Sequence, residues 1–215
     1  MRPFLAILMF FLLAGCAPAE TATPTPQLVS VYASAAAQPW LAGIYTCAEQ
    51  TASVIRLSTS ESAADIYLRV GEPENLTTPA YQIDSEDILI VTHRESPIQN
   101  LTAEAARALF SNPEGQAVQI WVFASGEDIQ ATFERQVLSG QPVTSLARLA
   151  ASPQQMSDTL NAEKNAVGIL PRHWETGSVR EVFTLADVPV LALTSAEPQG
   201  VIKDLIACWQ QKTAP

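Results

Sequence analysis

Glu86-Asp87-Ile88-Leu89-Ile90-Val91, followed by Ser96-Pro97-Ile98-Gln99-Asn100-Leu101-Thr102 and a segment closing in Ala108-Leu109-Phe110-Ser111, is the stretch whose reading decides the fold. The unbroken apolar run Ile88 to Val91 predicts a buried strand inside an extended segment from Tyr81 to His93. Thr102 can cap the helix that follows, by accepting a hydrogen bond from a free amide of the first turn. Leu101, Ala105, Ala106, Leu109 and Phe110 then fall on one apolar face. Asn112-Pro113 ends the helix, because proline has no N–H to donate and its ring crowds the preceding turn.

The same reading extends outward in both directions. Leu28 to Ser34 reads as a strand and Pro39 to Thr51 as a helix carrying Trp40, Leu41, Ile44 and Tyr45 largely on one face. Ser53 to Ser58 and Ala64 to Val70 are strands separated by the polar loop Ser58 to Ser62. Beyond the central stretch come a strand Val118 to Phe123, a Ser-Gly turn and a helix Asp128 to Leu138 with Ile129, Thr132, Phe133, Gln136 and Val137 at helical spacing. A helix near Pro153 to Asn161, a strand Ala166 to Leu170, extended pieces Val179 to Leu185 and Val188 to Thr194, and a helix Gly200 to Gln211 complete the chain. Strands alternating with helices predict an α/β fold with largely parallel pairing.

Composition narrows the function classes. The 215 residues carry 22 acids against 12 Lys and Arg, a net charge of −10, with 47% hydrophobic and only 16% charged residues. So apolar a chain is not disordered, and so acidic a one is not a non-specific nucleic-acid binder. About 190 residues outside the leader are enough for one domain or two small lobes.

The N-terminus reads as an export signal over residues 1–15: Arg2, an apolar run from Phe4 to Leu13 too short to span a bilayer, then Ala14 and Gly15. Leu12-Leu13-Ala14-Gly15-Cys16 looks like a bacterial lipobox, whose cysteine is lipidated and becomes the new N-terminus. Residues 16–27, rich in Pro, Thr and Ala, hold nothing able to found a core and read as a tether. The expected location is therefore extracytoplasmic, on a lipid anchor, in an oxidising setting. Two cysteines remain there, Cys47 and Cys208, either bridged or buried as separate thiols.

Recognisable catalytic and metal motifs are missing from the sequence. His93 and His173 have no histidine or cysteine neighbour at zinc-ligand spacing, so both read as surface or loop residues and no metal site is expected. No Gly-x-Ser-x-Gly elbow, HExxH helix, phosphate-binding Gly-rich loop or dinucleotide fingerprint occurs, which favours a binder over an enzyme. Polar residues do recur where strands hand over to helices, the place where open α/β sheets bind ligands: Ser34, then Ser58, Thr59 and Ser60, then Ser125 with Gly126. Each is also an ordinary cap or turn residue. Glu127 and Asp128, in the first turn of the next helix, would repel a multiply charged anion at the third loop.

The order of segments resembles the type 2 periplasmic binding proteins, specifically the phosphate-binding lipoprotein subunits of ABC transporters. The likeness rests on the opening stretch, which is similar to the family's crossover strand, its Asn-Leu-Thr turn and its helix ending in Phe-Ser. It is supported by Ala64-Asp65-Ile66 with Glu72-Pro73, by Ala131-Thr132-Phe133-Glu134 and by Asn165-Ala166-Val167-Gly168-Ile169-Leu170. The resemblance implies two α/β lobes around mixed sheets with an interlobe cleft, lobe 1 at about 28–85 and 180–215 and lobe 2 at about 86–179. It also implies that the first and last helices share a lobe, which would let Cys47 and Cys208 form a structural disulfide.

The departures fall at the ligand loops. Ala33-Ser34-Ala35-Ala36-Ala37 keeps one hydroxyl where the family has a Gly-Ser-Thr-Ser type loop, and Val70-Gly71 stands where a Ser-Arg pair is usual. Ser125-Gly126-Glu127-Asp128 replaces a Ser-Gly-Thr loop, so donors are removed and carboxylates added. The expected function is a monomeric solute-binding protein that delivers a small polar solute, an anion among the options, to an ABC permease without a cofactor. Its expected ligand contacts are Ser34, Ser58, Thr59, Ser60, Arg69, Ser125 and Gly126; Arg69 shares a strand face with Tyr67 and faces either cleft or solvent. The alternative is a sensory or protein-interaction domain that has lost the transport ligand. A hydrolase using Ser125 or Ser34 ranks last, because no motif places a histidine beside either.

Overall fold

Residues 25–213, apart from Glu114 and Gln116, are described by the computed structural model. The signal segment, Cys16 and the tether up to residue 24 lie outside these residues.

Strand β1 (Gln27–Ala33) passes through a 3-10 turn, Gln38–Trp40, into helix α1 (Leu41–Gln50). Strands β2 (Ser53–Leu57) and β3 (Ile66–Val70) follow, then the long strand β4 (Ala80–His93) and helix α2 (Ala103–Ser111). Thr102 caps α2 by accepting from the Ala105 amide at 3.2 Å, and Ala106, Leu109 and Phe110 form its buried face. Strand β5 (Gln119–Val122), helix α3 (Asp128–Gln136), the short edge strand β6 (Arg148–Leu149) and helix α4 (Pro153–Ala162) come next. Strand β7 (Ala166–Pro171), the second long strand β8 (Val179–Leu193) and helix α5 (Gly200–Thr213) end the chain.

The strands form one sheet in the order β2-β1-β3-β8-β4-β7-β5-β6. Pairing is parallel on both flanks, β1 with β2 and β3, and β5 with β6 and β7, but antiparallel at the centre, where β8 pairs β3 and β4 and β4 pairs β7. The expectation of largely parallel pairing is corrected there. Val179–Leu185 and Val188–Thr194 are not two pieces but one strand, Val179–Leu193, and it returns along β4 instead of crossing over through a helix. The first part of β4 (80–86) pairs with the last part of β8 (188–193), and residues 88–93 pair with residues 179–185. Both long strands thus run from the β3 side of the sheet to the β7 side, with register shifts along the way.

The middle of the sheet is buried on both faces, so Ile88 to Val91 of β4 and all of β7 read as unbroken apolar runs, whereas the edge strands β2 and β6 are largely exposed. On the β1 side, α1 and α5 pack together and the Cys47–Cys208 disulfide joins them, with Cα atoms 5.9 Å apart. Gly43 of α1 lies directly over Trp209 of α5: a Cβ there would come 2.6 Å from the indole Nε1. On the β7 side, Phe110 and Phe133 meet edge to face at 4.9 Å between ring centroids, bringing α2 against α3.

Candidate functional site

The site forms where the loop after β1, the end of β3 and the start of α3 converge. Ser34 opens the loop after β1, and its backbone amide donates to Leu68 O at 3.0 Å. Its hydroxyl donates to Oδ2 of Asp128 at 2.6 Å and accepts from the Ala37 amide at 3.2 Å. The Val70 amide, from the last residue of β3, donates to the same Oδ2 at 2.8 Å. The other oxygen, Oδ1, accepts from the Ile129 amide at 2.8 Å. Asp128 is only 4% exposed and Ser34 5%. A buried carboxylate is costly unless hydrogen-bonded, and this one accepts three such bonds.

The surroundings fit tightly around it. Gly71 has φ +83°, and any side chain there would collide with Oγ1 of Thr132 on α3. The space left beside Asp128, lined by Ala35, Ala36, Phe123, Glu127 and Ser152 among others, measures about 10 Å³. That is about room for one water molecule. Burial pushes the Glu127 carboxyl up, and the charge of Asp128 adds to the shift. The Tyr67 ring lies tilted against that of Tyr32, with centroids 5.3 Å apart, and its hydroxyl is likewise pushed up by burial first and Asp128 second.

Trp174 Nε1 donates to Ala36 O at 3.2 Å, the Trp40 and His173 rings sit 4.5 Å apart, and Arg135 Nη2 donates to Glu72 O at 2.6 Å. His173 is exposed, as expected of a surface residue, yet its Nδ1 lies 2.9 Å from Glu86 Oε2. Burial raises the Glu86 carboxyl above its ordinary value of 4.5, and His173 pulls against that shift.

The structure divides the expected ligand residues into three groups. Ser34 meets Asp128. Arg69, Ser125 and Gly126 line one groove of about 460 Å³ together with Pro73, Glu74, Glu134 and Arg135. Arg69 therefore faces this groove, and its Nε donates to Gly71 O at 2.9 Å. Ser58 and Ser60 form a turn of their own with Thr59 between them: the Ser58 hydroxyl donates to Ser60 O, and the Ser60 hydroxyl pairs with that of Ser62. Sequence reading left out the Val70 amide, Thr132 and Arg135, and it read Asp128 only as a repulsive charge. A carboxylate two residues past a Ser-Gly turn was the available signal.

A mixed sheet crossed by two long antiparallel strands, with a cleft at the strand ends beside α3, defines the type 2 periplasmic-binding-protein fold. One structural match is a protein from Clostridium perfringens described as a phosphate ABC transporter substrate-binding protein with bound phosphate: TM-score 0.74 at 15% identity, over 85% of this chain and 92% of that one. An ABC-type phosphate transport receptor from Vibrio cholerae matches with TM-score 0.64 at 14% identity, over 85% and 93% of the two chains. The LysR family transcriptional regulator CbnR also matches, with TM-score 0.58 at 12% identity, over 88% and 71%. No protein-family model and no curated protein matches the sequence. At these identities the likeness is one of fold.

Proposed function

We propose that the protein is an extracytoplasmic, lipid-anchored solute-binding protein, the substrate-binding component of an ABC transporter, working as a monomer. The observation that carries this reading is the groove in which Arg69, Ser125 and Gly126 come together, whose 460 Å³ suits a small molecule. Two guanidinium side chains, Arg69 and Arg135, and two carboxylates, Glu74 and Glu134, line it. Such a lining favours a small polar solute that carries both an anionic and a cationic group over phosphate. The phosphate-binding neighbours support solute binding through fold alone.

The anchor reading rests on Leu12 to Cys16 and the Pro/Thr-rich stretch behind it. Among the described residues no helix is long and apolar enough to cross a membrane. The two lobes of this reading meet where β4 and β8 cross, with the β8 boundary nearer residues 185–188 than 180, because residues 179–185 pair with the later half of β4. Binding without catalysis is favoured because the Ser34 hydroxyl is committed to a carboxylate and His173 is held by Glu86.

A thermal-shift and calorimetric panel of phosphate, sulfate, amino acids and sugars tests the proposal, with R69A as the control. The expected result is saturable stabilisation by one solute class that R69A abolishes. Silence across the panel from a folded protein rejects solute binding. It would favour instead the sensory or protein-interaction reading, for which the Asp128-filled cleft is the specific support.

A further inference from the structure

We infer that Asp128 is a tethered stand-in for an oxyanion: its carboxylate fills the anion position of the cleft, holds the cleft shut without any solute, and excludes free oxyanions from it. The inference stands independently of the Arg69 groove, because it concerns the Ser34 hydroxyl and the Val70 amide and a different set of lining residues.

Three observations carry it. A hydroxyl from the loop after β1 and an amide from the end of β3, 36 positions apart in sequence, converge on one oxygen of a residue that belongs to α3. Convergent neutral donors on one oxygen are how proteins hold carboxylates and phosphates. The acceptor comes from the chain itself, at an effective concentration no dilute solute matches. Beside it remain about 10 Å³, too little for formate or phosphate while the carboxylate is in place. Gly71 completes the fit, because only a residue without a side chain lets the β3 end sit this close to Thr132.

Substrate-binding folds close when a solute bridges their lobes, and here Asp128 supplies that bridge. Specificity follows from the same contact. An incoming oxyanion would need to displace a covalently attached carboxylate and then lie beside it and Glu127, where like charges repel.

Chemical rescue tests the inference. The full protein, D128A and D128A/S34A are titrated with sodium formate, which has the dimensions of the removed carboxylate, and with inorganic phosphate and chloride as comparisons. D128A is expected to melt about 5–10 °C below the parent, having lost a buried, multiply hydrogen-bonded group. Formate is expected to restore part of that shift saturably in D128A, and none of it in D128A/S34A or with chloride. The parent is expected to show no Ser34-dependent response to formate or phosphate. If D128A fails to fold in plain buffer, refolding in formate against chloride gives the same readout: selective recovery supports the inference, and equal failure in both overturns it. A folded D128A that ignores formate overturns it, as does a parent protein whose binding of either anion is abolished by S34A.

Discussion

The Ser34 hydroxyl donates to Oδ2 of Asp128 at 2.6 Å, across 94 positions of sequence and with both residues buried. It joins the loop after β1 to the first residue of α3, which sit on opposite flanks of the crossing strands. Removing the hydroxyl leaves Oδ2 with only the Val70 amide. S34A is therefore expected to cost about 1–3 kcal/mol, read as a fall in melting temperature of roughly 2–10 °C. An unchanged melting curve would mean that the carboxylate is not buried against Ser34.

Gly71 is constrained twice, by φ +83° and by Oγ1 of Thr132. G71A is expected to destabilise by about 2–4 kcal/mol, more than the ~1 kcal/mol of a left-handed alanine alone. Removing the obstructing atoms in G71A/T132A relieves the steric part. The double-mutant cycle, read from denaturant unfolding, should therefore be strongly non-additive. Additivity would place the two residues out of contact.

Which of these features the sequence exposed follows from local physics. The buried run Ile88 to Val91 and the Thr102-capped helix were readable because strand burial and helix capping depend on neighbours only a few residues away. The antiparallel centre was not, because pairing β4 with β8 depends on contacts about 100 residues apart and no turn chemistry announces it. For the site, Ser34, Ser125 and Gly126 stand out in the sequence as small polar residues where strands hand over to helices and Arg69 as a charge on a strand, whereas Asp128 is legible there only as a repulsive charge and not as the hydrogen-bond partner of Ser34. Its charge is visible in the sequence, but its burial against Ser34 and Val70, 94 and 58 positions away, is a tertiary effect. Ser58 and Ser60 looked like the other loops, yet their hydroxyls serve their own turn.

Cys47 and Cys208 close a loop of 161 residues and tie α1 to α5. Reduction, or replacement of both by alanine, is expected to lower stability by about 2–4 kcal/mol. Non-reducing peptide mapping combined with thermal unfolding, with and without reductant, measures this. A melting temperature indifferent to reductant would show that the bridge contributes nothing.

Glu86 adds a pH dependence. Burial, opposed by His173, raises its carboxyl above 4.5, so over the interval up to the raised value the folded state keeps a proton that the unfolded chain releases. Its contribution to stability is present at low pH and is lost as pH rises through the raised value. Gln at this position cannot titrate. The stability of the parent relative to E86Q is therefore expected to decline as the pH rises above the ordinary carboxyl value of 4.5. A difference that stays constant or grows with pH would contradict the burial argument.

The most direct test of the central claim, that Asp128 closes the cleft in the absence of solute, is hydrogen–deuterium exchange of the intact protein and D128A. Without added solute, segments 34–37 and 70–72 are expected to exchange slowly in the parent and markedly faster in D128A. Exchange in β7, which lies away from this contact, should change little. Equal exchange of those segments in the two proteins, or protection in the parent that appears only when a solute is added, would contradict the claim.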